Sequence, residues 1–157
     1  MKKTLMLLIC VAFMTSGIVL AQKKETVPVS TKSTFATKFP KAQKVKWSVE
    51  KPGEFEAEFQ LNGVESSALF DSKGTLLVTE TEIKESQLPQ TVKAAITKNF
   101  AGYKLDEIEK ATDAKGAVSY EMEAAKGKEK LEISFDATGK LLKKEAVKEE
   151  KGKEKKD

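Results

Sequence analysis

No histidine occurs anywhere in this 157-residue chain, and Cys10 is its one cysteine. Without imidazole the Ser-His-Asp and Cys-His mechanisms in their usual form are excluded, and so are imidazole metal sites. Cys10 lies inside an apolar N-terminal run, so the remainder of the chain has neither a thiolate nor a disulfide to offer. An excess of one charge is also missing. Lys and Arg number 28 against 24 Asp and Glu, and Lys2 and Lys3 supply two of the four net positive charges. So even a mixture argues against a nucleic-acid partner. No glycine-rich phosphate loop is present, no cofactor is implied, and after the N-terminus no apolar run is long enough to span a membrane.

The N-terminus reads as an export signal. Lys2 and Lys3 precede an apolar run from Leu5 to Leu20, interrupted at Thr15, Ser16 and Gly17. Val19-Leu20-Ala21 then gives a cleavage-like triplet before the polar Gln22-Lys23-Lys24-Glu25. Residues 1–21 are therefore expected to be a signal peptide cut after Ala21, giving a periplasmic or secreted protein. A retained anchor is the weaker reading, because the run is short and broken at Gly17. Lipidation at Cys10 is disfavoured by Ile9, which stands where a small residue belongs.

The most informative positive feature is an internal repeat. Leu69-Phe70-Asp71-Ser72-Lys73-Gly74-Thr75-Leu76-Leu77 returns as Ser134-Phe135-Asp136-Ala137-Thr138-Gly139-Lys140-Leu141-Leu142. At an offset of 61, Val27-Pro28 matches Leu88-Pro89, Phe35 matches Ile96, Phe39 matches Phe100 and Trp47 matches Ile108. At an offset of 65, Phe55 matches Tyr120, Ala57 matches Met122 and Gly74 matches Gly139. Such self-similarity suggests one structural unit built twice. The organisation expected is a signal at 1–21, a linker at 22–26, units at 27–83 and 88–147 joined by 84–87, and a charged, disordered tail at 148–157.

Each unit opens with a helical pattern. Pro28 and Pro89 suit helix starts, where a missing N–H costs nothing. Val92, Ala95, Ile96 and Phe100 share a helical face, as Phe35 and Phe39 do more sparsely, and Pro40 ends the first helix. The period then falls to two. Val45, Trp47 and Val49 alternate with Lys44, Lys46 and Ser48, and Phe55, Ala57, Phe59 and Leu61 alternate with Glu54, Glu56, Glu58 and Gln60. Tyr120, Met122 and Ala124 alternate with Glu121 and Glu123 in the same way. This is sheet with one face buried and one wet. Asn62-Gly63 signals a tight hairpin, and Asp71-Ser72-Lys73-Gly74 and Asp136-Ala137-Thr138-Gly139 signal Asp-capped turns. The first four strands are expected near 44–50, 54–61, 64–71 and 75–83. The expected fold class is α+β: two tandem units, each one helix followed by a four-stranded antiparallel meander, with the helices packed on one sheet face.

The side chains that could carry chemistry are the alternating acids. Glu54, Glu56, Glu58, Glu121 and Glu123 project from the wet strand face, where nothing is expected to perturb them, so acid–base catalysis is not expected. A calcium site needs six to eight converging oxygens, which a flat ladder does not provide. Neutralisation by Lys44, Lys46, Lys128 and Lys130 is the simpler account. Asp71-x-x-Gly74 is a turn rather than a nucleotide fragment, and Trp47 is assigned to the core by its phase.

Several of these residues carry a family resemblance. Phe35-x-x-x-Phe39-Pro40-x-Ala42-x-x-Val45-x-Trp47, Phe55-x-Ala57-x-Phe59-x-x-Asn62-Gly63 and Phe70-Asp71-x-x-Gly74-x-Leu76, followed by Leu88-Pro89, resemble the PepSY-like family of β-lactamase-inhibitor-like exported proteins. The second copy departs from the pattern, with Ala101-Gly102 in place of the Phe-Pro region and Ile108 in place of tryptophan. The resemblance implies a non-catalytic periplasmic role. The function expected is a protein-binding module, an inhibitor or regulator of a periplasmic enzyme acting through its sheet face on a protein partner yet to be identified. Glu54, Glu56, Glu58, Glu121 and Glu123 would form the partner-binding surface. The alternatives are a small-ligand or cation-binding carrier of the cell envelope, and a homo-oligomer paired through sheet edges.

Overall fold

The computed structural model describes residues 26–147. The signal peptide expected at 1–21, almost all of the linker at 22–26 and the tail at 148–157 lie outside the described residues. The elements run α1 (Val29–Lys38), β1 (Gln43–Lys51), β2 (Glu54–Leu61), β3 (Val64–Asp71), β4 (Leu76–Glu82), a 3₁₀ turn (Glu85–Gln87), α2 (Gln90–Asn99), β5 (Lys104–Asp113), β6 (Val118–Lys126), β7 (Glu129–Asp136) and β8 (Leu141–Ala146).

The eight strands form one sheet, in the order β1 to β8. This corrects the expectation of an α+β protein made of two tandem helix-plus-four-strand units. The architecture is mostly β, with one continuous sheet and two ten-residue helices. The physical reason lies in strand edges. Period-two alternation says which face of a strand is buried, but it does not say which strand lies alongside. A bare edge presents unpaired N–H and C=O groups, and a neighbouring strand satisfies them. The Ala114 N–H donates to the Leu77 carbonyl at 2.8 Å and the Ile83 N–H to the Ile108 carbonyl at 2.8 Å.

By contacts the chain divides into two compact units. One runs to Glu82 and includes Thr112–Ala117, and the other holds Ile83–Ala111 and the chain from Val118.

In the first unit, β2 pairs antiparallel with both β1 and β3. Trp47 lies opposite Ala57, and Phe55, Ala57 and Phe59 lie opposite Phe70, Ala68 and Ser66. Alternation therefore puts Phe55, Phe59, Ala68 and Phe70 on one face, where all are buried. α1 closes that face through Phe35. Its ring meets those of Trp47 at 5.3 Å, Phe59 at 5.1 Å and Phe70 at 6.3 Å, all edge-on, an arrangement that suits the ring quadrupoles. Trp47 is half-buried against this cluster. At the outer strand β1, a bulge at Lys44 (φ 55°) interrupts the register, and Val45 and Val49 stay partly exposed.

In the second unit, Val92 of α2 packs with Phe100, Ile108, Met122, Leu131, Ile133 and Phe135. Aliphatic side chains and methionine take the space that phenylalanines fill in the first unit.

Asn62 and Gly63 both take positive φ (54° and 82°), as the tight turn between Leu61 and Val64 requires. The Asp-x-x-Gly turns are closed by their carboxylates. Asp71 Oδ1 accepts from the Lys73 and Thr75 N–H groups at 2.9 and 2.7 Å, and Asp136 Oδ1 from Thr138 and Lys140 at 2.8 and 3.1 Å. Asp113 closes the same kind of turn through Lys115 and Ala117, both at 2.8 Å.

Each helix start is tied to one of these turns. Thr31 Oγ1 donates to the Asp71 carbonyl at 3.2 Å and Thr91 Oγ1 to the Ala137 carbonyl at 2.7 Å. The approach needs glycine. A Cβ on Gly139 (φ 84°) would stand 2.6 Å from the Thr91 carbonyl oxygen, whereas one on Gly63 would meet nothing within 4 Å.

Two predictions follow from this packing. Phe35→Ala should lower unfolding stability by about 3–5 kcal/mol in a denaturant titration, because a buried ring leaves a cavity. Gly139→Ala should cost clearly more than Gly63→Ala. Both pay about 1–2 kcal/mol for a left-handed alanine, and only Gly139→Ala adds the collision with α2.

Candidate functional site

Because Phe55, Ala57 and Phe59 point into the core, Glu54, Glu56 and Glu58 point to the other face of β2. The register sets their neighbours. Glu56 lies between Ser48 of β1 and Leu69 of β3, and Glu58 between Lys46 and Ser67. Beyond β3, Ser67 lies opposite Glu80 of β4 and Leu69 opposite Val78. Glu50, Lys51, Glu54, Glu56, Ser67, Leu69, Val78 and Glu80 together line a small cavity of about 50 Å³. That is room for a few waters rather than for an organic cofactor. Among the described residues no group of three or more acidic side chains is arranged to hold a metal ion.

The acids here are half-buried, which overturns the expectation of an unperturbed wet ladder. Burial pushes the Glu56 carboxyl up to about 7, and the charges of Glu50, Glu80 and Glu58 push in the same direction. Only the Ser67 hydroxyl acts to lower it. Glu50 is also raised, first by burial and then by Glu54, with Lys51 partly offsetting both. The Ser67 hydroxyl donates to Glu80 Oε2 at 2.9 Å, and Lys51 pairs with Glu54 at 3.0 Å. Ser48 Oγ, Glu50 Oε2 and Glu56 Oε2 are buried and have no hydrogen-bond partner.

The second unit treats its acids differently. Glu121 lies opposite Ser134 and accepts from the Ser119 hydroxyl at 3.0 Å. Glu123 accepts from Lys130 at 2.8 Å, as the expected neutralisation requires. On the adjoining strands, Lys143 Nζ bridges Glu132 at 2.9 Å and Glu145 at 3.4 Å. Burial pulls the Lys143 ammonium down, but its bonds to Glu132 and Glu145 outweigh that and hold it above its ordinary value. The five acids singled out in the sequence therefore do not behave alike. Glu54 and Glu56 share the cavity and Glu58 acts on Glu56, whereas Glu121 and Glu123 belong to β6 and the other compact unit.

Sequence reading missed Glu50, Ser67, Leu69, Val78, Glu80 and Lys143. A signal for them was present. The 65-residue offset sets Val78 against Lys143, Glu80 against Glu145 and Leu69 against Ser134. At the position where the second copy carries an ammonium, the first carries an isopropyl group.

The family model described as "Putative beta-lactamase-inhibitor-like, PepSY-like" matches residues 53–143. A comparison with curated proteins finds no match. Among solved structures, a DUF2874 family protein from Bacteroides ovatus ATCC 8483 is 26% identical with a TM-score of 0.70, over 78% of this chain and 89% of that one. A BLIP-like protein from Bacteroides fragilis NCTC 9343 is 23% identical with a TM-score of 0.67, over 78% and 89%. A protein from Bacteroides eggerthii DSM 20697 described as "putative periplasmic" is 17% identical with a TM-score of 0.73, over 78% and 91%. Likeness at such low identities concerns the fold. No helix among the described residues is long and apolar enough to cross a membrane.

Removing the bridging cation should expose the difference between the two acid sets. Lys143→Met is expected to lower stability near neutral pH by about 1–2 kcal/mol, since it strands the half-buried Glu132. A thermal melt of the two proteins near neutral pH checks this.

Proposed function

The chain belongs to the PepSY-like, β-lactamase-inhibitor-like family, and we propose that it is a non-catalytic, exported binding module that inhibits or regulates a periplasmic enzyme. The docking surface is the face of β1–β4 opposite the aromatic core. The observation supporting this reading is the composition of that face. Its one helix, α1, packs on the aromatic side through Phe35. The other side combines the apolar Leu69 and Val78 with the carboxyls of Glu50, Glu54, Glu56, Glu58 and Glu80. Apolar groups beside a concentration of carboxyls suit a partner segment bearing lysine or arginine, whose aliphatic stem and charged head match both.

The inhibitor-like description of the family and the BLIP-like name of one solved neighbour favour binding over catalysis. The absence of histidine from the chain favours it too. Periplasmic location is supported by the leader-like residues 1–21 and by the description of the B. eggerthii neighbour. Glu121 and Glu123 contribute less to docking than Glu54, Glu56 and Glu58, because Lys130 and Ser119 already engage them. A carrier of cations or small ligands is not favoured by a 50 Å³ cavity.

In-cell crosslinking with the tagged protein in its native envelope, followed by capture, tests the reading. One dominant partner is expected. Glu56→Lys with Glu58→Lys should weaken its capture at least about tenfold, the effect of about 1.4 kcal/mol. Glu121→Gln should leave capture unchanged. A partner held equally well by the doubly charge-reversed protein would show that this face is not the docking surface.

A further inference from the structure

Three polar atoms on the open face of β1 and β2 are buried without a hydrogen-bond partner: Ser48 Oγ, Glu50 Oε2 and Glu56 Oε2. Ser48 and Glu56 are direct cross-strand partners, and Glu50 and Glu56 line the same small cavity. Two of the three atoms belong to carboxyl groups, which only accept when ionised. A cluster rich in acceptors leaves buried polar atoms unsatisfied, at a cost in stability. A proton on one carboxyl turns it into a donor and removes one like charge at the same time.

The groups facing Glu56 agree with this. From β1 come Ser48, Glu50 and, at the strand end, Lys51; along β2 come Glu54 and Glu58; from β3 come Ser67 and the apolar Leu69; from β4 come Glu80 and the apolar Val78. Lys46 lies opposite Glu58, and Lys51 pairs with Glu54. Every charged group acting appreciably on Glu56 is itself a carboxylate. Val78 occupies the place that Lys143 takes at the 65-residue offset, where the ammonium bridges Glu132 and Glu145.

We propose that the Glu50–Glu56–Glu80 cluster around this cavity is a proton switch, in which Glu56 takes up and releases a proton and so sets the charge of the open face. The proton needs no ligand and no partner, so the switch stands or falls separately from the docking role. The sign follows from linkage. An acid held above its ordinary value binds more protons folded than unfolded, so it makes the fold less stable as pH rises. The decline begins above the ordinary glutamate value of 4.5 and is complete once pH passes about 7, where Glu56 itself ionises. Where the face docks a basic segment, release of the proton strengthens the attraction.

Carbon-detected NMR of the glutamate side-chain carboxyls, followed against pH in the whole protein, is the direct test. One carboxyl is expected to titrate near neutrality, while the melting temperature falls between about pH 5 and pH 8. Glu56→Gln should remove the near-neutral titration and flatten that fall, whereas Glu121→Gln should change neither. Val78→Lys should move the titration down toward the ordinary glutamate range by adding a cation to the face. Should Val78→Lys fail to fold, Glu56→Gln still decides the matter. Uniform titration of all glutamates near 4.5, or a near-neutral titration that survives in Glu56→Gln, would overturn the proposal.

Discussion

Everything distinctive about this protein follows from the strict alternation along β2. A strand can send only every second side chain inward. Phe55, Ala57 and Phe59 take the inward positions and are almost completely buried. Glu54, Glu56 and Glu58 are thereby committed to the opposite face, in fixed register with Ser48, Ser67 and Leu69. The aromatic core and the acidic face are two consequences of one eight-residue stretch. A slip of one residue would exchange them, placing carboxylates against Phe35. The weight of the packing, with Phe35 meeting three rings edge-on, makes that slip prohibitive.

The same economy ties the helices to the sheet. Asp71 and Asp136 fold their turns tightly enough for α1 and α2 to bond to them through Thr31 and Thr91. Hydrogen bonds hold both aspartates below the usual carboxylate range, the Thr75 N–H contributing most at Asp71 and the Thr138 hydroxyl contributing most at Asp136. These two turns therefore contribute stability above that range and lose it in strong acid. Glu56 works in the opposite sense. The chain thus contains acids whose folding linkage runs in both directions.

The proposed docking face, with a charge set by its protons, would differ from one with a permanent ion-pair network. In the second unit Lys130 and Lys143 already engage Glu123, Glu132 and Glu145, leaving little electrostatic attraction for an outside group. In the first unit the acids around Glu56 repel one another, so any cation brought to that face relieves repulsion as well as forming new bonds. Membership of a family described as β-lactamase-inhibitor-like fits the binding role proposed for such a surface.

Much of this was determined by the sequence alone. The strand stretches, the positive-φ turn at Asn62-Gly63, the Asp-x-x-Gly turns and the placing of Phe55 and Phe59 on a buried face all rest on short-range rules of period, turn chemistry and apolarity. Sequence reading also placed Glu54, Glu56 and Glu58 on one face and excluded imidazole chemistry. Only the tertiary structure decided how the strands are joined, because alternation marks faces and not neighbours, and whether eight strands make one sheet or two is settled by their pairing. It also decided that Glu56 is not an ordinary surface glutamate. That depends on Glu50, Glu80 and Val78, which lie on other strands and reach Glu56 only through register. Coulomb energy and desolvation depend on distance in space, and no local pattern along the chain encodes it.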